Sequence, residues 1–399
     1  MGTKTAGFEA LDLKLSQDYT QIVLGMDEFY RKRYSSSTEA SLDKEGLVPI
    51  NLTSEKPNQY DSWEEILSEL NHLRSRYVFI QSEIRRNYMQ QQIGSLITLA
   101  NWCSGKEISF REKVRGLLYV NENPFSIAER NELHQKLDAL LSKRGLAGSL
   151  TEKVWKWEHA QRVPFLKLES VLKDLLSEAK KRVVEKMFPE MEDVEVTPVI
   201  VTGVPYSAYC DYVGGKMYIN GDLSYTYEAL KHLVSHESFP GHTTHMRIRE
   251  IAVQSGCTPL DAALVITNTA SSSVFEGIGD NGINFIDWVN TIDDEIYSVY
   301  QEIKSISGIN AAHMIHAEQK SDNEVAAFLK EFAFGEEIWI QSRLRFFKHS
   351  LRAPFIYSYW RGNEAVKEVY RNVSENKKPL FYQFLYKNML SADTVKQFR

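Results

Sequence analysis

Apolar residues recur at helical spacing through most of the first 190 positions. Between Asp61 and about Trp102, Ile66, Leu70, Leu73, Tyr77, Ile80 and Ile84 fall on such a spacing, with no Pro or Gly before Gly94; this period lays an apolar stripe along a helix. Asp61 or Ser62, followed by Glu64 and Glu65, supplies a helix-start signal. The runs from Ser126 to Leu141 and from Ser149 to Met187 carry the same period, and the second is predicted as one long helix ended by Pro189. The character changes at Val194. Val194-Glu-Val-Thr-Pro-Val-Ile-Val is β-branched, and Lys216-Met-Tyr-Ile-Asn lies between a Gly-Gly pair and Gly221. These stretches predict a short sheet, with a hairpin near Tyr209 and Tyr212. From Tyr225 helical spacing returns, with breaks expected at Pro240-Gly241, Gly256, Gly282, Gly308, Gly335, Pro354 and Pro379. No internal repeat is present, and no low-complexity run exceeds Ser35-Ser-Ser-Thr. The predicted class is mostly α, with one small β element beside the segment where histidines gather. Residues 1–190 form an N-terminal helical region and 191–399 the region holding the candidate chemistry; the two are compatible with one integrated unit.

Composition narrows the classes. A chain of 399 residues allows two or three domains at about 150 residues each, or one large helical unit. With 43% hydrophobic and 25% charged residues it is not a mostly disordered chain. Lys+Arg 47 against Asp+Glu 53 leaves a net charge of −6, which argues against nucleic acid as partner. No apolar run approaches the roughly 18 residues of a membrane span, so no membrane partner is expected. The segment from Met1 to Lys14 carries acids and no apolar centre, unlike a secretory signal. Cys103, Cys210 and Cys257 are far apart and match no paired motif; a reducing, cytoplasmic setting is expected.

Four of the ten histidines, His232, His236, His242 and His245, fall in one 14-residue window. His236-Glu237 looks like the first half of the zinc-peptidase helix motif, in which two His four apart share one face. Here the next pair is six apart, and six residues turn a straight helix by about 600°, pointing His242 about 120° away from His236. Pro240 is not tolerated in a helix interior, and Gly241 permits backbone angles other residues avoid. Together they are expected to break the helix after Phe239, restart it near His242, and swing that ring back towards His236. His232, at the regular spacing of four, is the main rival ligand, and His245 is another. A catalytic zinc wants three protein ligands and an open position. Phe275-Glu-Gly-Ile-Gly-Asp offers Glu276 as the third ligand, with Asp280 at i+4 on the same face to hold a ligand histidine's second nitrogen. Against this stands the plain reading of Pro-Gly as a turn and Glu276 as a cap or a partner for a surface Lys. Glu69 and His72 form a lone Glu-x-x-His step; a di-iron bundle needs two such steps and further carboxylates, so this one is read as a solvated helix face.

His-Glu-x-x-Pro-Gly-His followed by Phe275-Glu-Gly resembles the domain-of-unknown-function 885 family, a group of mostly helical zinc metallopeptidases. The likeness runs from about Tyr206 to Gly362 and takes in the Tyr-rich segment before Lys216-Met-Tyr-Ile-Asn-Gly, Val274-Phe-Glu-Gly, a helix carrying His316, and Tyr359-Trp-Arg-Gly. The family continues Glu-Gly-Trp-Ala where this chain has Glu276-Gly-Ile-Gly-Asp, which implies an altered pocket. The resemblance implies a zinc-peptidase-like fold, one zinc per chain held by His236, His242 and Glu276, and hydrolysis with Glu237 as the base that takes a proton from the attacking water. The alternative for Glu237 is a salt bridge with Arg247 or Arg249. Tyr359 is the first choice as oxyanion donor, with Tyr357 and Arg352 as rivals and core packing as the alternative. His316 is a candidate pocket residue, although His313 and His316 also fit core or surface. The Tyr206–Asn220 stretch offers either an edge strand for an extended peptide or a structural hairpin. The leading expectation is a zinc-dependent hydrolase acting on short peptides or amino-acid amides. Two others stay open: zinc chemistry on a non-peptide C–N bond of a metabolite, and a non-catalytic helical binding protein that keeps the fold.

Overall fold

The computed structural model describes residues 9–34, 46–349 and 351–399. Residues 1–8 of the N-terminal segment read above, and the run at 35–38, lie outside the described residues. Helix accounts for 66% of residues and strand for 5%, so the chain is mostly α. In chain order the described helices are α1 (Ala10–Tyr34), α2 (Trp63–Arg76), α3 (Glu83–Cys103), α4 (Phe110–Leu118), α5 (Ile127–Lys143), α6 (Leu150–Gln161), α7 (Leu168–Lys186) and α8 (Tyr227–Glu237). They continue with α9 (His242–Gln254), α10 (Ala270–Phe285), α11 (Ile292–His316), α12 (Asp322–Phe332), α13 (Glu337–Lys348), α14 (Ile356–Tyr370) and α15 (Lys378–Lys387). The strands are β1 (Ile50–Asn51), β2 (Thr197–Val201), β3 (Ala208–Asp211), β4 (Lys216–Asn220) and β5 (Leu264–Val265).

Two compact units result, each assembled from separate stretches. One takes the chain up to Asn121 together with Met246–Val274 and Ala365–Arg399; the other takes Glu122–His245 and Phe275–Glu364. In the first, Leu15, Tyr19, Leu70, Leu73, Met89 and Ile93 are buried, and β1 pairs antiparallel with β5. In the second, Leu137 and Leu141 of α5, Val154 and Trp157 of α6, and Ile296, Val299 and Ile303 of α11 form one apolar cluster. Each such side chain contributes roughly 1.5–3 kcal/mol by leaving water, so Trp157→Ala is the change that would most damage this cluster. The change of sequence character near residue 194 marks the approach to a three-stranded sheet in the order β2-β4-β3. Strand β2 runs parallel to β4, and β3 runs antiparallel to it with Cys210 opposite Met217.

Several boundaries differ from the periodicity. The helical stretch from Asp61 is two helices, because Ser82 caps a new one by accepting from the Arg85 N–H at 3.4 Å. Ser62, rather than Asp61, caps α2. The long helix expected over 149–187 is also two. Pro164 forces its predecessors out of helical geometry: Arg162 is extended and bridges to Thr226, and the Val163 N–H donates to the Tyr225 carbonyl. Gly282 and Gly308 lie inside α10 and α11 and break neither. Both serve close packing: a Cβ on Gly282 would stand 3.1 Å from the Pro240 ring, and one on Gly308 3.4 Å from Phe347 and Ile356. Pro379 sits in the first turn of α15 and starts that helix.

Candidate metal centre and its cavity

Thr226 starts α8 by accepting from the Ala229 N–H at 3.1 Å. Leu230 and Val234 hold the helix by one buried face, while His232 and His236, four apart, share another. The helix stops at Glu237, Pro240 supplies no N–H, and α9 begins at His242. The break is tied together: the N–H groups of Phe239 and Gly241 donate to the Val234 and Ser235 carbonyls at 3.2 and 2.8 Å, and the Thr243 hydroxyl donates to the Glu237 carbonyl at 3.2 Å. A Cβ on Gly241 would collide with the His236 carbonyl, so only glycine fits. The result is the return that a straight helix forbids. The His236 and His242 rings stand 4.6 Å apart and nearly perpendicular, at 83°.

Glu276 of α10 completes the convergence. Its Oε2 lies 3.2 Å from His236 Nε2 and 3.8 Å from His242 Nε2, and all three residues are buried. Asp280, one turn further on, places Oδ1 2.9 Å from His236 Nδ1 and 3.4 Å from His232 Nε2. Burial alone would raise the Asp280 carboxyl, but His232 and His236 hold it well below its ordinary value. As an ionised acceptor it therefore fixes the proton of His236 on Nδ1 and turns Nε2 towards Glu276. Gly279 makes room for this ring, since a Cβ there would stand 2.8 Å from it. Gly279 thus forms a seat for the first histidine. His242 stacks on Phe275 at 4.1 Å and 8°. Burial, followed by the charges on His236 and His245, keeps its pKa well below the ordinary value.

Glu237, Glu276 and Asp280 are buried together, and among the described residues no Lys or Arg pairs with any of them. Burial raises the Glu276 carboxyl, and it raises Glu237 to about 7 against the pull of His236. Burial works against charge on His236 too, but Asp280 and Glu276 hold its pKa well above the ordinary value. Two donor sets of metal-ligating type arise, His236/His242/Glu276 and His232/His236/Asp280. In the second set Asp280 already has His236 as its hydrogen-bond partner. In the first, both histidines turn Nε2 towards the one oxygen Glu276 Oε2, at 3.2 and 3.8 Å, and a cation there would share all three donors. The first set therefore fits a metal such as zinc better.

Glu237 follows His236 at the end of α8, and the backbone N–H of Cys210 in β3 donates to its carboxylate. The two arginines weighed as its partners are engaged elsewhere: Arg249 donates to the Ala262 and Leu264 carbonyls, and Arg247 pairs with Glu250. A cavity of about 290 Å³ opens onto His232, His236, Glu237 and Asp280; His242 and Glu276 are not in its lining. Tyr359 of α14 lines the same cavity. Burial, and then the charges of Glu276 and Glu237, hold its hydroxyl well above its ordinary pKa, so it remains a donor. Tyr357 is fully buried in the core, and neither it nor Arg352 lines this cavity. The His316 Nε2 lies 2.7 Å from the Phe347 carbonyl, behind the lining rather than in it. His313 stands 3.7 Å from Glu318, and Glu69 accepts from Tyr60 and Asn58 on an exposed face. Tyr206, Ser207 and Ala208 bring the approach to β3 into the wall, and β3 is an edge strand as well as half of a hairpin.

No family model matches the chain, and no curated protein matches it. Solved structures share the fold. One is described as "the putative lipoprotein from Colwellia psychrerythraea": TM-score 0.55, 11% identity, covering 84% of this chain and 66% of that one. This chain thus spans just under two thirds of that protein's length. Another, "a putative lipoprotein of unknown function from Shewanella oneidensis", has a TM-score of 0.52 and 13% identity over 96% of this chain and 72% of that one. At such identities the likeness concerns the fold alone. No described helix is long and apolar enough to cross a membrane.

Sequence reasoning missed three contributors: the Cys210 N–H behind Glu237, the seat at Gly279, and Arg343 in the cavity wall. The first is a backbone group and leaves no trace in residue type. The last had one weak signal, the spacing of four between Trp339 and Arg343 on α13, where the guanidinium lies 5.8 Å from the indole.

Proposed function

We propose that the chain is a zinc-dependent hydrolase of short peptides, allied to the domain-of-unknown-function 885 group, with His236, His242 and Glu276 as zinc ligands. The observation that carries this reading is the convergence of His236 Nε2 and His242 Nε2 on one buried Glu276 oxygen, at 3.2 and 3.8 Å. Zinc bound there would supply Lewis acidity and make a water acidic enough to ionise near neutral pH. The chain's own groups do the rest. Glu237, aimed by the Cys210 N–H, takes the proton of the attacking water and returns it to the leaving nitrogen. Tyr359 donates its hydroxyl hydrogen to the oxygen that gains charge. Asp280 keeps the His236 ring in its orientation. A cavity of about 290 Å³ is at the small end for ligand sites, which favours short substrates over folded proteins. The three unpaired cysteines favour work in a reducing compartment such as the cytoplasm.

The test combines elemental analysis of purified protein with a dipeptide and tripeptide screen. About one zinc per chain and hydrolysis of some peptides are expected. Glu237→Gln keeps shape and removes proton acceptance, so it should retain the zinc and lose on the order of 10²-fold or more in rate. Near-normal turnover by this variant would make Glu237 structural. A chain that takes up no zinc at stoichiometric concentration would remove the reading altogether.

A further inference from the structure

The far wall of the cavity carries a charge that the proposed hydrolysis does not use. Most charged groups of this wall already have partners. Lys304 stands 3.8 Å from Glu158, which also accepts from the Tyr300 hydroxyl at 2.9 Å. Arg162 pairs with Glu336 at 2.9 Å, and Asp222 accepts from the Gly203 N–H at 2.6 Å. Arg343 is the exception. Its Nη2 donates to the Ser207 hydroxyl, its Nε is buried without a hydrogen bond, and no described carboxylate lies within ion-pair distance of it. A guanidinium turned into a cavity with no counter-charge carries a desolvation cost that an anion of matching shape would relieve. A carboxylate matches the planar fork of Arg.

The spacing fits this. Ser207, against Arg343, is three residues before Cys210, whose N–H holds Glu237. Three residues of extended chain span about 10 Å, which is room for about two residues of a bound peptide.

We propose that Arg343 recognises a carboxylate carried by the substrate about two residues from the bond that is cleaved, so that the enzyme takes short peptides with a nearby free acid in preference to amides. This rests on the hydrolase reading above and narrows it. The negative end of the cavity would receive the scissile amide and the positive end the acid, which sets the direction of binding. The acid has two sources, a free C-terminus or an acidic side chain, and the experiment separates them.

Zinc-loaded wild-type protein, Arg343→Gln and Arg343→Lys are compared on alanyl-alanyl-phenylalanine, its C-terminal amide, and the amide of alanyl-alanyl-glutamate. Circular dichroism checks that each variant is folded. The wild type should prefer the acid that Arg343 reads by about 10- to 100-fold in kcat/KM, the range of a charge-assisted pair. Preference for the first peptide assigns a C-terminal carboxylate, and preference for the third a side-chain one. Arg343→Gln should abolish the preference through a raised KM for the acid, and Arg343→Lys should restore part of it. Equal treatment of acid and amide by the wild type, or a preference that survives Arg343→Gln, overturns the proposal. If no peptide is hydrolysed, titration calorimetry with the same three ligands still decides. Acid-selective binding lost in Arg343→Gln upholds the anion site while the hydrolase reading fails; binding without selectivity removes the anion site as well.

Discussion

Each compact unit buries a cluster of opposite charges, and the two clusters differ in whether their groups match. In the first unit, Arg85 donates from Nε to Asp12 at 3.0 and 3.1 Å and from its two terminal nitrogens to Asp261 at 2.9 and 2.6 Å. The Ser16 hydroxyl donates to Asp261 at 2.6 Å and accepts from the Asp261 N–H at 2.8 Å. The fork of the guanidinium is filled, and Tyr77 and Tyr88 lie against it. In the second unit, Glu237, Glu276 and Asp280 have no Lys or Arg partner among the described residues; Glu276 and Asp280 meet histidines instead, and His242 Nδ1 is buried without a hydrogen bond. Burial is alike in both places, with Asp12, Arg85 and Asp261 as hidden as His236, His242 and Glu276. Burial of charge therefore does not mark a functional site in this chain. What sets the second cluster apart is its chemistry: carboxylates and histidines of metal-ligating type converge, with no Lys or Arg among the described residues to offset the acids.

The largest expected effect breaks the matched cluster. Arg85→Met would leave Asp12 and Asp261 buried without their cation. Removing one member of a buried pair costs about 3–5 kcal/mol. Urea unfolding should show a clearly lower midpoint for the transition that involves the first unit, while zinc content of the folded protein stays at the wild-type level. An unchanged midpoint would mean that the network contributes nothing to the fold and that the contrast between the clusters is empty.

The mismatched cluster should respond in the opposite sense. Glu276→Gln removes a buried carboxylate that has no cationic partner other than histidine. In chelator-treated protein the melting temperature should stay level or rise, since a desolvated charge is gone. Zinc affinity should fall steeply, with one of three ligands lost. A metal-free variant that melts well below the metal-free parent would show that Glu276 stabilises the fold by itself, as Asp261 does. The ligand set would then have to be sought around His232 and Asp280.

The two clusters were not equally legible. His236, His242, Glu276 and Asp280 could be read because helix geometry turns residue spacing into direction, and because Pro240-Gly241 explains a spacing that would otherwise exclude the site. The Arg85 cluster joins positions 12, 85 and 261, and no local rule connects residues so far apart. Arg343 was hidden for the same reason: its meaning depends on which acids the wall has already used. The helix boundaries failed differently. Pro164 was present to be read, but the apolar period on both sides of it suggested continuity across Arg162 and Val163. Gly282 and Gly308 read as breaks in the sequence because a glycine permits a turn and a close approach alike, and only the neighbouring element decides between them. That element is Pro240 for Gly282, and Phe347 with Ile356 for Gly308.

The smallest expected effect isolates that last point at the metal centre. Gly279 lies on α10 between Glu276 and Asp280 and contributes no donor atom. Alanine there would bring a Cβ to 2.8 Å from the His236 ring, inside ordinary van der Waals contact. The ring cannot withdraw freely, because Asp280 holds its Nδ1 at 2.9 Å. A shift of a few tenths of an ångström is therefore expected at Nε2, the atom that faces Glu276. Helix propensity pulls the other way, since Gly→Ala in a helix interior stabilises by up to about 1 kcal/mol. Gly279→Ala should consequently leave the circular dichroism spectrum intact and the metal-free melting temperature nearly unchanged. Zinc affinity, read by competition with a chromophoric chelator, should fall by roughly 10-fold, the lower end of what disturbing a ligand's support costs. Weaker metal binding without a weaker fold would show that a residue with no donor atom helps set the centre. Full zinc affinity in this variant would mean that the ring moves at no cost and that Gly279 serves only helix packing.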